Sequence, residues 1–434
     1  MDIKKIVNDL AGCDCGRVHS ADIKTVEIGS GILNETARIL KEYKFPKNIL
    51  CVADKNTLNA SDGILDVLNG GGYNVSLKLY DDLRVASDSE VNCVTNLTKQ
   101  YGADGILSIG SGSLNDVCRR AALLADKEFA IFATAPSMDG FASGTSPITS
   151  VKDNFKTTLP ARQPSIIIAD TKILAAAPPE LKSAGFGDMI AKYIGLADWK
   201  ISNITTGEYY CEKIAALTRQ AVDKMIKLAP RVTENDEETA GAIMESLVFT
   251  GIAMKLADCV RPASGTEHII SHYWEIKKLE KGLISDFHGK KVSVASLIAA
   301  KIYYQIIKCD FYPCMEKLDW DDIYKVYGKN FETEVKNLNN PTITESTSPE
   351  IIAANEDKIK EAVKAEIPEP GKLLAYMKTA GAAISLSDIS VSHDLGREGV
   401  IYHPYMRRRM TLMRLIPMLG LPVSAETLAN DAII

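Results

Sequence analysis

Apolar positions in the first 175 or so residues gather into short continuous runs, separated by stretches that are apolar on one helical face only. The runs at 25–28, 48–53, 74–80, 105–109, 129–134 and 165–169 predict strands. The stretches at 34–43, 61–69, 89–101 and 114–125 predict helices. Runs such as Ile166-Ile-Ile-Ala169 do not alternate with polar residues, so those strands are expected to be buried on both faces. Strands alternating with helices imply a parallel sheet with right-handed crossovers, with ligands at the carboxyl ends of the strands. From Pro178 onward strand signals nearly vanish. Long amphipathic patterns take over at 209–228, 237–260, 291–307 and 357–365, with another at 406–419. The expected organisation is an α/β domain with a Rossmann-like parallel sheet over 1–177 and an all-α domain over 178–434, with Pro178-Pro179 as the boundary. The Asn-, Pro-, Thr- and Ser-rich tract 337–349 reads as a loop between helices.

Composition narrows the function. The chain has 434 residues, 46% of them hydrophobic and 24% charged, with a net charge of −6. That is an ordinary globular composition with ample core. No basic block favours nucleic acid or an anionic membrane. Arg407-Arg408-Arg409 is expected to be a solvated or helix-terminal face. No window is expected to reach the ~18 apolar residues of a membrane span, and the N-terminus lacks a signal-like run, so the chain is expected to be cytoplasmic. Its nine cysteines then read as reduced and mostly buried. Cys13-Asp-Cys15-Gly-Arg-Val-His19 is one ligand short of a closed metal site and reads as mostly structural.

Five segments carry chemistry. In Gly105-Ile-Leu-Ser-Ile-Gly110-Ser111-Gly112-Ser113-Leu114-Asn115-Asp116, a strand meets a glycine turn and a helix start. Such a turn lets the backbone approach a pyrophosphate, and the helix N-terminus offers free N–H groups. Asp54, at the end of an earlier strand, reads either as a contact to a nucleotide sugar or as a helix N-cap. Ala133-Thr134-Ala-Pro-Ser137-Met-Asp139-Gly-Phe-Ala-Ser143 places small hydroxyls and one carboxylate at the sheet's functional edge, although turn residues alone account for its composition. In Ala184-Gly-Phe-Gly-Asp188-Met-Ile-Ala-Lys192, Asp188 is a natural N-cap and also a hard oxygen ligand. Gly265-Thr-Glu-His268-Ile-Ile-Ser-His272-Tyr-Trp-Glu275, with His288-Gly289, holds half of the six histidines. His268 and His272 share a helical face by their i, i+4 spacing. One carboxylate and two imidazoles would leave coordination positions open, as a catalytic metal requires.

Taken in order, these segments resemble the sn-glycerol-1-phosphate dehydrogenase family, within the dehydroquinate synthase-like and iron-containing alcohol dehydrogenase superfamily; the bacterial AraM-like branch fits best, over roughly residues 25–300. The resemblance implies a dehydroquinate synthase-like fold, with a nucleotide-binding domain over 1–177 and a metal- and substrate-binding domain over 178–434, and a homodimer is expected. It implies metal ligands Asp188, His268 and His288, with His272 and Asp139 as catalytic residues facing substrate. NAD or NADP would lie on Gly110, Ser111, Gly112, Ser113, Leu114 and Asn115, with Thr134 and Ser143, and with Asp54 near the adenosine end. The implied reaction is reduction of dihydroxyacetone phosphate to sn-glycerol 1-phosphate, with zinc, nickel or iron as Lewis acid on the ketone. Ser113 stands where Thr is common in the family, which keeps the hydroxyl, and the segment after Ser143 has no close counterpart. A glycerol or alcohol dehydrogenase and a dehydroquinate or cyclitol synthase are rivals on the same fold; the synthases usually carry Glu in place of Asp188. A nucleotide- and metal-binding regulatory protein without turnover is the rival outside enzymes.

Overall fold

The computed structural model describes residues 3–433. Six strands form one parallel sheet: β1 (Thr25–Gly29), β2 (Asn48–Asp54), β3 (Asn74–Tyr80), β4 (Gly105–Gly110), β5 (Glu128–Ala133) and β8 (Ile166–Asp170), in the order β1-β8-β5-β4-β2-β3. Each strand lies within a residue or two of its expected position. The continuous apolar runs are the central strands: every residue of β4 and β8 is buried. β3 lies at an edge, and Leu77 and Leu79 on it are exposed. One face of the sheet presents Ile49, Cys51, Leu107, Ile109, Phe132 and Ile168 to Ile39 and Leu40 of the helix Thr36–Glu42 and to Ile64 and Leu68 of the helix Ile64–Gly70. Each such side chain contributes about 1.5–3 kcal/mol on full burial. Cys51 and Cys118 belong to this apolar interior, and burial raises the Cys118 thiol to about 12. These two are packing groups.

An antiparallel pair, β6 (Thr145–Thr149) with β7 (Lys156–Pro160), was not expected. Its strands carry Pro147 and Pro160 and few apolar residues, so no period-2 apolar pattern announces them.

The chain divides into two compact units, Met1–Met189 with Asp223–Cys259, and Ile190–Val222 with Val260–Ile434. The partition therefore differs from a single boundary at Pro178. Pro178 precedes the helix Pro179–Ile190, which begins inside the first unit. The helix Glu237–Ala257 also belongs to that unit, where it packs on β1, β8, the helix Thr171–Ala176 and the 3-10 turn Gly140–Ala142. This helix corrects another expectation. By length and composition it is apolar enough to cross a membrane, but 72% of the relevant window is buried within the protein. Its apolar residues serve contacts on several sides, which is why they do not form a narrow stripe.

In the second unit the helices Lys192–Thr206, Thr266–Glu280 and His288–Ile306 form the centre, with Glu356–Glu366, Pro370–Thr379, His393–Tyr402 and Ala425–Ala432 packed on them. Trp199, Trp274, Tyr273 and Tyr303 are fully buried there. Asp198 ties three elements together: its carboxylate accepts from Tyr303 Oη at 2.7 Å, from the Thr266 N–H at 2.8 Å and from the Leu412 N–H at 2.9 Å. Burial raises its carboxyl to about 6, against the opposing effect of the Tyr303 bond. The Thr266 bond fixes the start of the helix that carries His268.

The arginine run is less exposed than expected. Arg408 is exposed, but Arg407 and Arg409 are half-buried. Arg409 donates to Ser264 O and Ser264 Oγ, both at 2.9 Å, so it braces the turn that leads into the helix Thr266–Glu280.

Candidate active site

In the first unit, β4 ends at Gly110, and Ser111 leads into the helix Gly112–Ala125. A Cβ on Gly110 would lie 2.4 Å from Leu114 Cδ1, so glycine lets the turn pack on its own helix without displacing that side chain. Ser111 Oγ and Ser137 Oγ lie 2.6 Å apart and join this turn to the loop after β5. Ser113 Oγ donates to Arg84 O at 2.9 Å, and Ser108 Oγ donates to Asn115 Oδ1 at 2.7 Å. Asn115 Nδ2 is buried with no hydrogen-bond partner among the described residues. Thr134 and Ser143 are buried, and Ser143 Oγ accepts from the Thr145 N–H at 3.1 Å. Asp54 acts as a helix N-cap: its carboxylate accepts from the Thr57 N–H at 2.8 Å, and Thr57 returns a bond to the Asp54 N–H at 3.0 Å. The reading of Asp54 as a cap is therefore realised.

Asp188 departs from its expected local role. It is not an N-cap but a residue in the last turn of the helix Pro179–Ile190, and it is fully buried. The glycines before it do not start a helix. A Cβ on Gly185 would lie 2.0 Å from the carbonyl oxygen of Pro136, so this glycine lets the helix press against the Thr134–Ser143 loop. That approach brings Asp188 Oδ2 within 2.9 Å of the Asp139 N–H, which donates to it.

In the second unit the helix Thr266–Glu280 carries His268 and His272, and His288 begins the helix His288–Ile306. The rings of His268 and His288 have centroids 5.1 Å apart, closer than the 6.4 Å between His268 and His272. A ligand nitrogen of His268 and one of His288 lie within 4.8 Å of each other. Two imidazoles from different helices thus converge more closely than the i, i+4 pair. Glu267, which sequence reading passed over, is fully buried and lies 2.6 Å from His268 Nδ1 through Oε1. With the Nδ1 proton directed at that carboxylate, Nε2 is left as a donor to an ion. Oε1 also accepts from the Gly265 N–H at 2.8 Å, whereas Glu267 Oε2 is buried without a hydrogen-bond partner among the described residues. The adjacent acid–imidazole pair Glu267-His268 was the available signal.

The chain is similar to known proteins along most of its length. The family model for iron-containing alcohol dehydrogenases matches residues 27–178. A glycerol-1-phosphate dehydrogenase [NAD(P)+] from Bacillus licheniformis is 27% identical over 96% of this chain and 95% of its own. The enzyme of that name from Bacillus subtilis is 34% identical over 66% of this chain and 74% of its own. Among solved structures, the NADH-dependent butanol dehydrogenase A of Thermotoga maritima superposes with a TM-score of 0.64 at 14% identity, covering 96% of this chain and 99% of that one. That likeness shows the fold, a parallel-sheet region followed by many helices as in the iron-containing alcohol dehydrogenases. With the Bacillus subtilis match in identity and coverage, the chain belongs to the glycerol-1-phosphate dehydrogenase family.

Proposed function

We propose that this protein reduces dihydroxyacetone phosphate to sn-glycerol 1-phosphate, reversibly, with NADH or NADPH and a divalent metal. The observation that carries this reading is the similarity to glycerol-1-phosphate dehydrogenases; within the second unit His268 and His288 bring ring nitrogens within 4.8 Å of each other, and Asp188 is our proposed third donor. A carboxylate oxygen and two imidazole nitrogens suit zinc, nickel or iron, and the Glu267 carboxylate on Nδ1 of His268 suits a metal-facing Nε2. The donor chemistry therefore fits the ion. Bound there, the ion would act as a Lewis acid on the substrate ketone. The nicotinamide cofactor would supply the hydride.

The chain's own residues do the rest. The Gly110–Asn115 turn and the N-terminus of the helix Gly112–Ala125 offer backbone N–H groups to a pyrophosphate. Thr134 and Ser143 line the same edge, and Asp54, at the end of β2, disfavours a 2′-phosphate by charge. Asp139 orients a substrate hydroxyl, its own backbone anchored on Asp188. His272, half-buried, delivers the proton that completes the new hydroxyl. Assembly as a homodimer and a cytoplasmic location belong to the same reading.

The test is oxidation of NADH and of NADPH with dihydroxyacetone phosphate, before and after metal removal and with Ni²⁺ or Zn²⁺ restored, followed by stereochemical assignment of the product. Metal-dependent formation of sn-glycerol 1-phosphate is expected. Full turnover after metal removal, or the sn-3 product, would sink the proposal.

A further inference from the structure

The Cys13–His19 segment is not used by the chemistry above, yet its side chains are arranged around a common point. A sulfur from each of Cys13 and Cys15 and a ring nitrogen of His19 lie within 4.8 Å of one another. Cys15 Sγ is 3.3 Å from His19 Nε2. Around a tetrahedral zinc ion, with Zn–S of about 2.3 Å and Zn–N of about 2.0 Å, neighbouring sulfur and nitrogen ligands stand roughly 3.5 Å apart. The observed spacing is close to that value.

The histidine is also prepared for a metal. His19 is buried, and its Nδ1 lies 2.7 Å from the Leu256 carbonyl oxygen. A carbonyl accepts and does not donate, so Nδ1 carries the proton and Nε2 presents its lone pair to the sulfur side. This is the arrangement in which a backbone carbonyl fixes the tautomer of a metal-bound imidazole. The segment is held in place by a neighbouring bond: Arg17 Nη1 donates to Ala257 O at 2.7 Å, at the same helix end that holds His19. Two separate anchors thus fix a short irregular segment whose Val18 side chain is almost wholly exposed.

We infer that Cys13, Cys15 and His19 bind a structural zinc ion separate from the catalytic metal. Two thiolates and one imidazole supply three tetrahedral ligands and tie the segment to the helix end at Leu256, so this ion stabilises the fold and takes no part in turnover. Binding displaces one proton from each thiol, and no electron transfer is involved.

Cobalt distinguishes this site from the catalytic one, because Asp188, His268 and His288 include no sulfur. Cobalt-loaded protein should show the near-ultraviolet thiolate-to-metal band and the strong visible bands of a tetrahedral thiolate site. Cys15→Ser should lose that band and one zinc per chain by elemental analysis. His268→Ala should keep it, whatever becomes of the catalytic proposal. In the unaltered protein, zinc should slow alkylation of Cys13 and Cys15, read by mass spectrometry, and a chelator should restore it. The inference is overturned if cobalt gives no thiolate band, or if alkylation runs equally fast with zinc and with chelator. The alkylation comparison needs no variant and decides the matter even if Cys15→Ser does not fold.

Discussion

Glu267 Oε1 lies 2.6 Å from Nδ1 of His268, and both side chains are buried. Consecutive residues on a helix normally point about 100° apart. Here the carboxylate folds back, held also by the Gly265 N–H. The pair sets which imidazole nitrogen carries the proton. Glu267→Ala should weaken metal binding by about 10- to 100-fold, with Glu267→Gln milder because its amide oxygen still accepts from Nδ1. Competition against a chelator measures this, and an unaltered affinity in Glu267→Ala would refute the role.

His268 and His272 should separate by phenotype. His268→Ala should lose metal and turnover together. His272→Ala should keep its metal and lose turnover by roughly 10²- to 10⁴-fold, the range of a lost proton-transfer group. Metal content and kcat measured on the same preparations decide between the two roles. Equal metal loss in both variants would make His272 a ligand instead.

Gly185→Ala tests the contact that sets Asp188 against Asp139. The added methyl would lie 2.0 Å from Pro136 O and 3.2 Å from Leu247 Cδ1, and neither the backbone nor a packed helix can yield freely. A destabilisation of about 1–3 kcal/mol is expected, with reduced turnover as the Asp139 N–H leaves Asp188. A melting temperature and a rate both equal to those of the unaltered protein would contradict this.

Acid should act through His403. It is fully buried, with Nδ1 3.0 Å from the carbonyl oxygens of Gly399 and Val400, and burial lowers it to about 3. In the unfolded chain it titrates near 6.5, so between these values the unfolded state binds the extra proton. Its contribution is fully present above about pH 6.5 and is lost progressively as pH falls toward 3, by a few kcal/mol in all. Thermal melting from pH 7 to pH 4 should fall more steeply in the unaltered protein than in His403→Gln. Parallel curves would exclude His403 as the cause.

Much of the fold was legible because burial on both faces of the sheet leaves a direct trace, as in Ile166-Ile-Ile-Ala169. The hairpin β6–β7 left none, since its prolines and threonines carry no apolar alternation. Local reading offered the cap as one of two roles for Asp54 but was wrong in making Asp188 a helix N-cap, because Gly185 answers to Pro136, distant in sequence, and not to its neighbours. The histidine segment stood out by composition. That His288 lies nearer His268 than His272 does depends on how two helices pack, which spacing within one helix cannot convey. Arg409 was read from its charge alone, and its bonds to Ser264 come from tertiary structure.

The helix Glu237–Ala257 completes a unit whose last strand ends at Asp170, after the chain has already contributed Ile190–Val222 to the other unit. The sheet therefore waits, during synthesis, for a segment made well after its strands. Until the ribosome has delivered residue 257, the surfaces of β1 and β8 that this helix covers stay open to water and to other nascent chains. A stop anywhere between 190 and 236 would release a chain with all its strands but with that apolar surface uncovered, a form suited to chaperone capture and prone to aggregate.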